Sequence, residues 1–166
     1  MSFIEHTINW TKGEIFEAMI TGFGGILLLI FAFCFWKFGN TPNAKAMIIP
    51  LLLIGLLLSS AGGYNIYSNK NRIVEYQNQF KENPEKFIKA EKERVESFDT
   101  IFNYTFPFAL IATILGAVLF FFFENSTIRA ISFASILLGL LTYLIDFFAK
   151  ERADIYFKAI LEYLPN

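Results

Sequence analysis

Cysteine is nearly absent from this chain. Cys34 is the only one, and it sits inside an apolar run. It has no partner for an intrachain disulfide and no metal-ligand motif around it, so it reads as a small buried hydrophobe. Histidine is as scarce: His6 stands alone near the N-terminus and reads as a solvated surface residue. With these two inventories so short, no metal site and no cofactor are expected. Charge is thin as well, at 17% of 166 residues, against about 25% in an average soluble domain. The net charge is −1, which removes any basic bias toward nucleic acid.

Charge is missing above all from four long apolar runs, residues 18–38, 46–67, 101–123 and 130–149. At about 1.5 Å rise per residue, each can cross a hydrocarbon core of ~30 Å. None carries a charge at its middle, which argues against proton- or ion-coupled transport. Small four-span multidrug transporters need an acidic residue in span one, and residues 18–38 have none. Thiol-redox four-span proteins need paired cysteines.

What is present is apolar: 55% hydrophobic residues, 21 Phe and a mean hydropathy of +0.47. The predicted fold is an all-α integral membrane protein with four transmembrane helices. Residues 1–17 carry Glu5, Glu14 and Glu17 against Lys12, with no basic n-region and no A-x-A-like site. No cleaved signal is therefore expected. Phe3, Ile4, Ile8 and Ile15 instead predict a short amphipathic helix on the membrane surface. Residues 150–166, with Ala153, Phe157, Ile160 and Leu164 at helical spacing, predict a second surface helix or a continuation of the fourth span.

The long charged stretch lies between spans two and three. Residues 68–100 predict a helical hairpin. Asn83, Pro84 and Glu85 supply an N-cap, a first-position proline and a first-turn acid. Phe87, Ile88, Val95, Phe98 and Phe102 form an apolar stripe beyond them. Glu91 falls inside that stripe; an ion pair with the facing arm and solvent exposure both fit it. Of the Lys and Arg residues, eleven lie at the termini and in this stretch, and three (Lys37, Lys45, Arg129) lie in the other turns. The positive-inside rule then places both termini and the hairpin in the cytoplasm. The abundance of Phe, Ile, Lys and Asn suggests an AT-rich genome, and hence a bacterial inner membrane.

Two echoes divide the chain into halves. KAMIIPLLLIGLL (45–57) aligns without gaps with RAISFASILLGLL (129–141), 84 positions later. A parallel 2+2 repeat and a chance likeness of Leu-rich runs both fit this match. The second echo is a Lys-x-Arg-x-x-x-aromatic element, at Lys70, Arg72 and Tyr76, at Lys92, Arg94 and Phe98, and at Lys150, Arg152 and Tyr156. Such an element anchors a span at lipid phosphates. The alternative is a basic clamp on an anionic headgroup or an acidic partner.

Polar groups recur at one depth: Glu17 opens span one, Asn65 closes span two, Asn103 opens span three and Asp146 closes span four. A hydrogen-bonded layer fixing helix register is the plain reading. A pore vestibule or a headgroup site is the functional one. Lys150, four residues on, is the nearest sequence partner of Asp146.

Glu93, Arg94, Val95 and Pro107 resemble a motif of the four-span enzymes of eicosanoid and glutathione metabolism. That family's pattern continues with an asparagine and an acid where this chain has Ile101 and Tyr104. No glutathione chemistry carries over.

No motif names a reaction and no catalytic residue is predicted. The leading expectation is a non-enzymatic membrane protein that associates with a protein partner or with itself, as an immunity protein or accessory subunit does. An oligomeric channel or small transporter comes next. An interfacial lipid-binding protein or lipid enzyme comes third, with membrane lipids as partners in every case.

Overall fold

The computed structural model describes residues 2–164; Met1, Pro165 and Asn166, which end the segments expected at 1–17 and 150–166, lie outside the described residues. Four helices account for almost all of it: α1 (Phe3–Phe38), α2 (Pro42–Glu82), α3 (Pro84–Phe122) and α4 (Ser126–Tyr163). They have 36, 41, 39 and 38 residues, so each is roughly twice as long as a ~30 Å hydrocarbon core is thick. All four are long and apolar enough to cross a membrane. Their apolar halves expose large side chains such as Phe23, Leu53 and Phe121 all round, a surface that lipid, not water, covers. The protein is a multi-pass, all-helical membrane protein.

The helix ends follow from local chemistry. Thr41 caps α2 by accepting from the Ala44 N–H at 3.2 Å. Asn125 caps α4 by accepting from Thr127 and Ile128 at 2.9 and 3.2 Å. Asn83 alone separates α2 from α3, and its side chain accepts from the Lys86 N–H at 3.0 Å. Pro84 excludes the helical conformation for the residue before it, which ends α2 there.

α1 packs closely on α2, and α3 on α4. Small residues make this possible. A Cβ added at Gly62 would stand 2.6 Å from the Ala18 carbonyl and from the Gly22 backbone. In the other pair, one added at Gly116 would stand 2.8 Å from the Ser132 carbonyl. The caps Thr41 and Asn125 are 84 positions apart, the interval that separates the matched sequence runs. At the same interval, Gly55 meets Gly25 and Leu29, and Gly139 meets Ala109 and Thr113. The Lys-x-Arg echo between residues 70 and 150 is in a different register, 80 positions, so one ungapped offset does not carry both echoes.

Two expectations change here. Residues 3–17 are not a separate surface helix; they are the first half of α1, with Phe3, Thr7, Trp10 and Thr11 buried. The charged hairpin does not project alone either. Its two arms join the start of α1 and the end of α4 in a four-helix extension. Phe3, Trp10, Tyr76, Phe87, Val95, Tyr156 and Ile160 fill its core. The physical reason is shared: each arm has one apolar stripe, and four stripes facing inward bury more than two stripes on a membrane surface. The tail after residue 150 takes the second of its two expected forms, a continuation of α4 to Tyr163.

Candidate functional site

A chamber of about 380 Å³, in which charged and amide side chains stand among apolar ones, lies where the apolar spans give way to this extension. Its size falls within the ~300–1,000 Å³ range of small-molecule sites. α1 supplies Trp10, Glu14, Glu17 and Thr21; α2 supplies Asn65, Asn69 and Arg72; α3 supplies Phe98 and Phe102; α4 supplies Asp146 and Arg152. The α1 residues step by four, three and four, so one face of a continuous helix carries all of them.

Two further hollows adjoin it along the α1/α4 seam. One, about 280 Å³, is apolar and lies at membrane depth between Ile20, Leu58, Leu144 and Phe148. It shares Glu17, Thr21, Ile145 and Arg152 with the chamber. The other, about 420 Å³, lies on the outer side between His6, Asn9 and Lys158, and shares Trp10 and Arg152. Arg152 therefore stands where all three meet. Its guanidinium reaches Glu17 at 2.5 Å, and Gly13 leaves room for it along α1: a Cβ there would be 2.9 Å from Arg152 Nε.

Behind the chamber a hydrogen-bonded network ties α1, α3 and α4 together. Arg94 donates to both oxygens of Glu91, at 2.9 and 2.6 Å. Tyr156 donates to Glu91 at 2.8 Å. The Tyr156 hydroxyl has then spent its proton, so Thr7 donates to it across 2.7 Å. Trp10 stacks on Tyr156 with ring centroids 4.9 Å apart, and the Arg94 guanidinium lies 4.1 Å from the Trp10 ring centre. Burial pushes the Tyr156 hydroxyl far above its ordinary value, with the Glu91 charge adding to it. Tyr76 is raised by burial too. Burial opposes the Arg94 charge most strongly, but the Glu91 hydrogen bond and the nearby Glu91, Tyr76 and Glu14 charges together outweigh it and hold Arg94 as a cation.

Glu14 is the perturbed acid of the chamber. Burial raises its carboxyl above the ordinary 4.5, and the nearby Arg94 and Arg72 charges offset only part of that. Its Oε2 is buried without a hydrogen-bond donor, as is Asp146 Oδ2.

The expected polar layer is brought together in part. Glu17, Asn65 and Asp146 all line the chamber. Asn103 is exposed on the outside of α3 and is not among the lining residues. Lys150 does not serve Asp146. It reaches Asp99 of α3 at 2.5 Å, with Asp154 at 4.0 Å, because α3 offers a carboxylate on the exposed side. The three Lys-x-Arg elements divide their labour. Arg72, Arg94 and Arg152 are half-buried toward the interior, and Tyr76 and Tyr156 are buried rather than at a lipid headgroup level. Lys70 is exposed, and Lys92 pairs with Glu96 at 3.6 Å. Glu91 takes neither expected course: it is buried, but its ion-pair partner is Arg94 on its own helix.

Trp10, Glu14, Thr21 and Asn69 were not legible as site residues. With Glu17, the three α1 residues follow an i, i+4, i+7, i+11 spacing that runs across the start of the first apolar run; Asn69 on α2 offers no such signal. Set against protein-family models, curated proteins and solved structures, the chain matches none. The functional reading rests on the geometry.

Proposed function

We propose that this protein binds an amphiphile drawn from the membrane, without catalysing its conversion. The head occupies the chamber, and the tail lies in the apolar α1/α4 groove. The observation that carries this reading is that the two hollows adjoin, with Glu17, Thr21, Ile145 and Arg152 lining both. A soluble ligand has no need of an apolar groove opening at membrane depth, and an ion has no need of an acyl-sized one. The packing agrees: the α1/α4 seam is looser than either the α1/α2 or the α3/α4 contact, so a tail can enter sideways.

We take the charged end to be cytoplasmic, since eleven of the fourteen basic residues lie there, and the membrane to be a bacterial inner membrane. The matching contacts and caps 84 positions apart support two hairpins copied from one ancestral unit. The polar groups do not follow that copy: Ile101 stands where the second unit would repeat Glu17. One site per chain results.

Association with a protein partner is the second reading. Ile155 and Leu161 support it, both exposed on α4 beyond the apolar run. One experiment tests the amphiphile reading directly. The full chain in lipid nanodiscs is examined by native mass spectrometry, with Ile20→Trp as the variant that fills the groove. Retained lipid that is lost in Ile20→Trp supports amphiphile binding. Lipid retention equal in both forms overturns it.

A further inference from the structure

Resting on that reading, we propose that the amphiphile is an aminophospholipid, whose head carries a primary ammonium next to a phosphate. The chamber's charges are the starting point. It holds the carboxylates of Glu14, Glu17 and Asp146 against the guanidiniums of Arg72 and Arg152. Arg152 is taken by Glu17. Arg94, though close behind, is held by Glu91. Left over are two carboxylates and one guanidinium.

Their hydrogen-bonding states match the same ligand. Glu14 Oε2 and Asp146 Oδ2 are buried acceptors without donors; Glu17 Oε1 also lacks a hydrogen bond although Arg152 neutralises it, and Arg152 Nε and Arg94 Nη1 are buried donors without acceptors. Arg72 makes one long bond, 3.3 Å to Asn69 Oδ1, and has N–H groups to spare. The complement to this set is a donor-rich cation beside an acceptor-rich anion. A primary ammonium offers three N–H donors, enough for both carboxylates. A phosphate suits the planar fork of Arg72.

Other heads fit worse. A quaternary ammonium has no N–H to give these acceptors and is recognised by open aromatic faces. Trp10 is not open: it stacks on Tyr156 and lies against Arg94. A purely anionic head would add negative charge where carboxylates already outnumber guanidiniums. A metal ion finds no group of three or more acidic, His or Cys ligands among the described residues.

The test uses the full chain in maltoside detergent micelles, which hold no phospholipid, with Trp36→Phe so that Trp10 fluorescence reports on the chamber. Phosphatidylethanolamine, phosphatidylglycerol and mono-, di- and trimethylated phosphatidylethanolamine, all with identical acyl chains, are titrated in. The expected result is a preference of about tenfold for phosphatidylethanolamine over the trimethylated and glycerol heads, weakening with each methyl. The double variant Glu14→Gln, Asp146→Asn should bring these lipids within about twofold of one another. The methyl series needs no variant beyond the reporter, so a folding defect in the double variant leaves the test intact. Equal binding of phosphatidylglycerol and phosphatidylethanolamine overturns the ammonium assignment and leaves the amphiphile reading standing. Absence of a response to every lipid overturns both. Displacement of the lipid by an equal concentration of soluble phosphoethanolamine overturns the lipid source and leaves a free head as ligand.

Discussion

Arg152 of α4 and Glu17 of α1 face each other at 2.5 Å, across a seam looser than the α1/α2 or the α3/α4 contact. This pair closes the side of the chamber next to the groove. It is neither fully buried nor free in water, with side chains 30% and 17% exposed. A pair in such a place can part without stranding two charges in hydrocarbon, which suits a doorway.

Arg152→Gln should destabilise the ligand-free protein by about 1–3 kcal/mol, since it leaves Glu17 without its counter-charge. Arg152→Gln with Glu17→Gln should recover most of that. Thermal unfolding of both singles and the double in detergent gives the coupling; a value under about 0.5 kcal/mol would mean that solvent screens the pair.

Gly62 and Gly63 are neighbours with opposite surroundings. A Cβ at Gly62 runs into the α1 backbone, whereas one at Gly63 meets nothing within 4 Å. Gly62→Ala should force α1 from α2 and cost about 1–3 kcal/mol. Gly63→Ala should be neutral or stabilise by up to about 1 kcal/mol through helix propensity. Denaturation midpoints that move equally in the two variants would contradict the α1/α2 crossing.

The Glu91 network separates a hydrogen bond from a buried charge. Tyr156→Phe removes one donor from a carboxylate that keeps both Arg94 bonds, and should cost about 1 kcal/mol. Glu91→Ala leaves Arg94 half-buried without its partner and should cost about 3–5 kcal/mol. Similar losses from both, measured by unfolding, would show that Arg94 finds another acceptor.

Glu14 sets a pH dependence. Its folded carboxyl titrates above 4.5, so the folded state holds this proton to a higher pH than the unfolded chain does. The associated stability is present below 4.5 and is lost as pH rises through the folded value. Glu14→Gln should therefore stabilise the ligand-free protein at neutral pH and flatten its pH profile. Glu5 and Glu85 shift the other way, lowered by the Ser2 backbone bond and by Lys89, so the comparison is between variant and parent at each pH. A variant whose melting temperature follows the parent at every pH would refute the role of Glu14.

Much of the fold was legible because its signals are local. The turn at Asn83 follows from a capping side chain and a proline, and the four spans follow from runs without charge. The chamber was legible at Glu17, Asn65 and Asp146, where polar residues border or interrupt apolar runs, and at Arg72 and Arg152 of the repeated basic element. Glu14 and Trp10 were hidden because an amphipathic stripe looks the same whether a membrane surface or three other helices cover it. Asn103 misled for the opposite reason: depth along a helix is readable from sequence, but the direction a side chain faces depends on the neighbours.

From the sequence alone follow the number of spans, the turns and the gathering of basic residues at one end, because hydrocarbon thickness, capping and charge act on short stretches. Tertiary structure decided that the ends of α1 and α4 complete the hairpin's bundle. It also decided that Arg72, Arg94 and Arg152 turn inward, and that Lys150 serves Asp99 rather than Asp146. Those outcomes depend on which stripe buries which, and partners there lie as many as 149 residues apart, as Thr7 and Tyr156 do.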